Sequence, residues 1–339
     1  MGWLTIYDQF NEQYQQRESQ RLDIQANVDI VKGLKIDVKA NRAVSETYSE
    51  NYIVDAATNQ YQSLTPYTFG NYSISSLLIK TAFNSSTEDM SETFENFKSN
   101  RQVIANRLAG PGAVDSDGDG YPDGYGPTNQ AVVLPAFLSA YSGSDVNKVS
   151  LNAFREVPLP NWTLKYTGFM RNKWIKKRFK RVSLSHSYRS NYTINNFQTN
   201  LDYDPAAIGD DQFDTAGNYK NELVFGNINL TEQFSPLVKI DFETKSSLKI
   251  STEIRKDRAL SFSFDNNLLT EVQGNEFVVG LGYRFKDIQF RTRLGGSGRK
   301  RVIKSDLNFK ADFSLRRNET LVRYLDVCLL YTSPSPRDA

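Results

Sequence analysis

The chain has 339 residues, and its 41 basic and 39 acidic side chains leave a formal charge of +2, which gives no whole-chain electrostatic reason to expect nucleic acid. His186 is the only histidine and Cys328 the only cysteine, so zinc sites, Cys–His nucleophiles, Ser–His–Asp triads and disulfide frameworks are nearly excluded within the chain. Hydrophobic residues make up only 39%, yet 21 Phe, 18 Tyr and 3 Trp are present, the balance produced when every second residue of a strand is polar.

The opening residues, Met1 to Tyr7, lack the basic region and long apolar core of a signal peptide. No apolar run is long enough for a transmembrane helix. Either the protein is cytosolic, or the chain begins inside a longer one, as the resemblance given below implies. Residues 1–85 are expected to be strands. Leu22, Ile24, Ala26, Val28 and Ile30 alternate with polar neighbours, and after Lys32-Gly33 the pattern resumes with Leu34, Ile36, Val38 and Ala40, which predicts a hairpin.

A helical insertion is expected over 86–160. Met90, Phe94, Phe97, Ile104 and Leu108 fall at helical spacing before a Gly110-Pro111-Gly112 stop. A second apolar stretch, Ala131 to Tyr141, contains Pro135 and predicts a short or kinked helix. The two helices are expected to pack on each other and on a barrel rim, as the helical and loop plugs of barrel interiors and mouths do.

Between them lies an Asp-rich loop over 115–126. Asp115, Asp117, Asp119 and Asp123 occupy loop positions 1, 3, 5 and 9, with Gly120 at 6 and the Tyr121 carbonyl available at 7. Hard cations need several oxygen ligands at once, so these residues form a candidate Ca²⁺ site. Gly126 stands where an EF-hand has its bidentate Glu, so the affinity is expected to be weak. A solvated acidic turn is the alternative.

Strands are expected again over 161–326. The strand near Trp162–Tyr166 leads into a basic run of Arg171, Lys173, Lys176, Lys177, Arg178, Lys180 and Arg181, interleaved with Trp174, Ile175 and Phe179. Arg171, Lys173, Trp174, Lys176, Lys177 and Arg178 are expected at a membrane interface, where amphipathic aromatics and basic side chains collect. Nucleic-acid binding and a plain solvated connection are the alternatives. On the next strand His186 shares the face of Val182, Leu184, Tyr188, Tyr192 and Ile194, as a packed or girdle residue rather than a ligand.

A meander follows, with apolar alternation through Val238–Phe242, Leu248–Ile254, Leu260–Phe264 and Phe277–Phe285, then Ile288 and Phe290, and Leu307–Leu315 beyond a Gly295–Gly298 loop. Runs such as Leu248–Arg255 and Asp306–Arg316 approach the roughly nine to eleven residues of a membrane strand rather than the five or six of a soluble one. Gly280-Leu281-Gly282 precedes no helix, so it makes no phosphate cradle, and no acidic pair stands out as a glycosidase dyad. Residues 327–339, with Cys328 and the Pro334/Pro336 repeat, read like a translated sequencing adaptor; a disordered tail is the alternative.

Together these features predict an all-β-dominated fold, an antiparallel transmembrane β-barrel fragment of long meander strands with a small helical insertion. A soluble β-sandwich is the competing architecture.

Several strings extend the case: Asp115–Gly126, Leu134–Gly143, Asn147–Asn152, Pro158–Trp162, Ser185–Ser190, Glu232–Leu237, and Gly274–Gly280 with Gly282–Phe285. From about Trp3 to Tyr324 the chain resembles the C-terminal part of the SprA/Sov family, the giant outer-membrane translocons of the type IX secretion system linked to gliding motility. The resemblance implies a very large single-chain barrel with a wide lumen for folded cargo and a lateral opening, in the outer membrane of a Gram-negative bacterium. It implies a function in protein export and gliding motility, with secreted protein cargo, plug and cargo-shuttle proteins and outer-membrane lipid as partners. It offers no catalytic residues, so no enzyme is expected. The Ca²⁺ expectation rests on loop chemistry alone. A soluble or surface calcium-binding adhesin or carbohydrate-binding module is the alternative function, and an enzyme on a β scaffold is the least supported.

Overall fold

Alternating apolar and polar residues, rich in β-branched and aromatic types, favour a pleated half-buried surface over any helix. In the computed structural model, which describes residues 12–325 apart from 56, 59 and 293–300, ten strands form one antiparallel sheet. They are β1 (Glu12–Val31), β2 (Leu34–Val54), β3 (Tyr61–Ser75), β4 (Asn161–Tyr166), β5 (Phe179–Thr199), β6 (Leu223–Phe225), β7 (Asn227–Thr244), β8 (Leu248–Ser263), β9 (Leu268–Thr292) and β10 (Arg301–Tyr324). The order is β1-β2-β3-β5-β7-β8-β9-β10, with β4 pairing β2 and β5, and β6 pairing β5. The outer edges of β1 and β10 have no strand partner among the described residues. The opening residues 1–11, the Gly295–Gly298 loop and the tail 327–339 lie outside the described residues.

The expected hairpin is present: β1 pairs β2 across the Lys32-Gly33 turn. Gly33 has φ +95°, and a Cβ there would meet the Gly168 backbone nitrogen at 2.9 Å, so the turn requires glycine. The strands are longer than expected. β9 runs 25 residues and takes in the two runs that the sequence separates at Lys286-Asp287. A bulge opposite Asp306 lets Phe285 pair with Leu307 and Ile288 with Ser305, which keeps the apolar positions on one face as they change from odd to even numbers. β3 ends at Ser75, so the insertion starts some ten residues earlier than the boundary after 85 expected from sequence. A second connection, 200–222, which the sequence reading placed among strands, has no strand of its own.

The insertion holds α1 (Glu92–Ala109) and α2 (Gln130–Ser142). Ser91 caps α1, its hydroxyl accepting from the Phe94 N–H at 3.3 Å, and Gly110 follows the last turn. The Asn129 side chain caps α2 by accepting from the Ala131 N–H at 2.8 Å. α2 contains Pro135 and is apolar all round; such a helix is stable only when covered, and Val132 to Ser142 are all buried. Phe97 of α1 and Phe137 of α2 meet Phe262 of β8 with ring centroids 5.8 and 6.0 Å apart. Tyr72, Ile74, Tyr192, Ile194, Ile228, Leu230 and Leu269 complete this core.

Candidate functional site

Residues directly opposite each other in an antiparallel pair point to the same face. β8 and β9 pair from Leu248↔Tyr283 to Ser263↔Leu268 without a register shift, so each face can be followed along its whole length. One face carries Leu248, Ile250, Thr252 and Ile254 on β8, Phe277, Val279, Leu281 and Tyr283 on β9, and Leu307, Phe309, Ala311, Phe313 and Leu315 on β10. No charged side chain interrupts these rows. Phe313 is 64% and Leu315 65% exposed. Register extends the band through Val238, Ile240 and Phe242 of β7, Val182 and Leu184 of β5, Leu164 and Tyr166 of β4, and Ile36 and Val28 of β2 and β1. From Leu307 to Leu315 the band covers roughly 26 Å of strand at ~3.3 Å per residue, about 20 Å of height at the ~40° tilt of membrane strands.

The opposite face is ionic. Lys239 Nζ lies 3.2 Å from Glu253, Arg255 bonds Glu253 and lies 3.2 Å from Glu276, and Arg316 lies 2.9 Å from Asp257 and 3.8 Å from Glu276. These pairs tie β7, β8, β9 and β10 together, and Lys239, Glu253, Arg255 and Glu276 line an open trough of about 780 Å³. Glycines on β9 make room for them: a Cβ on Gly274 would lie 2.6 Å from Asp257 Oδ2, and one on Gly280 would lie 2.6 Å from Asp312 Oδ1. The Gly280-Leu281-Gly282 string thus has a cross-strand packing role. The ladder was only half legible in sequence: charges at every second position signal a wet face, but their partners lie on other strands.

The basic connection folds as a 3₁₀ turn, Gly168–Arg171, and α3 (Lys173–Arg178), with Asn172 capping by accepting from the Trp174 N–H at 2.9 Å. Arg171, Lys173, Trp174, Lys176, Lys177 and Arg178 are all exposed, and the Arg178 guanidinium lies 4.7 Å over the Trp174 ring. Arg171 donates to the Lys32 carbonyl, and the Lys245 N–H reaches the Arg178 carbonyl at 3.5 Å, so the connection sits among the short turns that follow β1 and β7. It borders the apolar band at Tyr166, whose ring is 4.8 Å from Phe169.

In the Asp-rich loop, Asp115, Asp117 and Asp119 bring carboxylate oxygens within 4.8 Å of one another, all three exposed. Asp123 does not join them. Its carboxylate accepts from the Ser116 N–H at 2.8 Å and the Ser116 hydroxyl at 2.6 Å. The hydroxyl bond and then the amide bond hold its pKa below the usual carboxylate range. This clasp is therefore complete above that range and lost as pH falls through the lowered value. The loop is anchored by Gln102, which donates to the Gly120 carbonyl at 2.9 Å, and by the Tyr219 N–H, which donates to the Gly124 carbonyl at 2.8 Å. Thus the 200–222 connection holds the end of the loop.

A buried polar seam, not foreseen from sequence, lies between the band and the insertion. Arg258 Nη2 is 3.1 Å from Glu232, with both side chains almost fully buried. Arg258 also donates to the Thr81 carbonyl and hydroxyl at 3.0 and 2.9 Å, and the Tyr188 hydroxyl donates to Glu232 at 2.9 Å. Trp162 stacks on Tyr188 at 4.5 Å, Tyr188 meets Phe234 at 5.0 Å, and Phe83 meets Phe234 at 5.4 Å. His186, whose Nδ1 is 2.7 Å from the Leu237 carbonyl oxygen, packs beside the Trp162 and Phe234 rings. No family model matches this chain, and no match is found among curated proteins.

Proposed function

We propose that this sheet is a section of an outer-membrane β-barrel wall and that the protein it belongs to conducts secreted proteins, as a type IX secretion channel. One observation carries the membrane part: an exposed apolar band whose rows from Leu248 to Ile254 and their partners on β9 and β10 hold no charge, backed by an ionic face lining a trough. Soluble monomers rarely expose apolar patches beyond a few hundred Å². A lipid-facing wall with a polar lumen needs this division. The edges of β1 and β10, without a strand partner among the described residues, would continue into further wall strands, because open edges of this length invite pairing. The secretion part rests on the resemblance of the strings above, with secreted protein as cargo and plug and shuttle proteins as partners. No enzymatic role is proposed.

Fractionation tests the membrane part. The intact protein is expected in the outer-membrane fraction, resisting salt and alkaline washes and released only by detergent. Recovery in the washed soluble fraction would overturn the reading in favour of a soluble module.

The Asp-rich loop carries a smaller proposal, weak Ca²⁺ binding through Asp115, Asp117 and Asp119. Titration of the intact protein with Ca²⁺, followed by calorimetry, is expected to saturate in the range of about 10⁻⁴–10⁻³ M typical of extracellular modules. Asp117→Asn with Asp119→Asn is expected to abolish it. A flat titration in the parent protein would leave the loop as an acidic turn held by the Ser116–Asp123 clasp.

A further inference from the structure

The unshifted β8–β9 register has a consequence for the insertion. The face that carries Leu248, Ile250 and Ile254 continues, on the same strand, through Lys256 and Arg258 to Leu260 and Phe262. On β9 it continues from Phe277 through Asn275, Gln273 and Glu271 to Leu269. Leu260, Phe262 and Leu269 are the residues on which α1 and α2 pack. The helices therefore cover the same face as the exposed apolar band, not the ionic trough on the other side. A helical plug in a polar lumen would sit on the trough face.

We infer that the insertion over 76–160 stands outside the barrel wall, resting on the lipid headgroups of the outer leaflet, with Phe83 at the lipid–water boundary. This rests on the membrane-wall reading above. The seam has the composition of such a boundary. Trp162, Tyr188, Phe234 and Phe83 form a row of rings at the edge of the band, with the Lys256 ammonium 4.7 Å from the Phe83 ring centroid. Aromatic rings with a polar edge collect at this depth, and lysine ammonium groups match headgroup phosphates. Phe83 itself is 58% exposed despite these contacts. The row beyond Lys256, Val238↔Ile254, is the first of the band.

The leaflet follows from the connections. The insertion leaves between β3 and β4, opposite Lys39 to Arg42 of β2. Its helices cover the end of the sheet that holds the 200–222 connection, apart from the insertion the longest strand-to-strand connection at either end, beside the short β2–β3 and β8–β9 connections. The opposite end holds the Lys32-Gly33 turn, the 245–247 turn and the α3 connection. Short turns mark the periplasmic end of outer-membrane barrels and long loops the outer end. The Asp-rich loop then faces the exterior.

Site-directed spin labelling of the intact protein in phosphatidylethanolamine–phosphatidylglycerol vesicles tests this, with Cys328 replaced by serine. Single labels replace Phe83, Ile79 (a second seam position), Phe313 and Ser314. Collision rates with dissolved oxygen and with a water-soluble nickel chelate report the surroundings of each. The expected result is oxygen-dominated collision at Phe313, nickel-dominated collision at Ser314, and values at Phe83 and Ile79 between them, at headgroup depth. Oxygen-dominated Phe313 with Phe83 and Ile79 matching Ser314 would overturn the placement of the insertion and leave the wall intact. Nickel-dominated collision at Phe313 would overturn the wall itself.

Discussion

Phe313→Arg is expected to destabilise the protein in its membrane by about 1–3 kcal/mol, between the midplane and interfacial costs of arginine on the lipid face of a barrel, because Phe313 lies one row in from the end of the band. Phe313 is 64% exposed and lies within the uncharged rows, paired with Val279. Were this face bathed in water, the same change would fall within the ~0.5 kcal/mol typical of surface substitutions. The control lies one residue from Leu307. Asn308 points to the ionic face and lines the trough, so Asn308→Arg is expected to stay within that smaller range. Denaturant unfolding of the vesicle-embedded protein measures both, and equal effects would remove the distinction between the faces.

The second large effect is expected at Arg258. Its ion pair with Glu232 is buried on both sides, at 3.1 Å, and its Nη1 and Nη2 also donate to Thr81. Arg258→Met keeps much of the volume but removes the cation bonded to the buried Glu232 carboxylate. Breaking a buried pair in this way costs about 3–5 kcal/mol. Because Thr81 belongs to the insertion, the loss is expected to release segment 76–90 first, seen as faster amide exchange there than in β8 or β9. Adding Glu232→Gln is expected to restore part of the stability, since the orphaned charge goes with it. A double variant no better than Arg258→Met would show that Arg258 acts through Thr81 alone.

Much of the architecture was legible in the chain. The hairpin around Lys32-Gly33, the helix stopped at Gly110, the helix bearing Pro135 and the connection through Trp174 all follow from local signals, because turn chemistry, caps and periodicity act over a few residues. Strand ends were less legible. Ser75 closes β3 in the middle of an apolar run that continues through Leu77, Leu78 and Ile79, and apolar runs look alike whether they are covered by a neighbouring strand or by a helix. The 200–222 connection was hidden for the opposite reason. Its Asp and Gly turns carry no apolar period, and its anchoring on Gly124 and Gly126 is a long-range contact.

By itself the sequence determined that this is a β-protein with one greasy and one wet side, since side-chain direction alternates with a period of two whatever the strand is packed against. It also determined that three acidic side chains share a short turn. Only the tertiary structure decided which strands are neighbours, which charges meet across Gly274, and that the helices cover the same side as the exposed apolar rows. Pairing register couples residues far apart in the chain, and no local pattern records it.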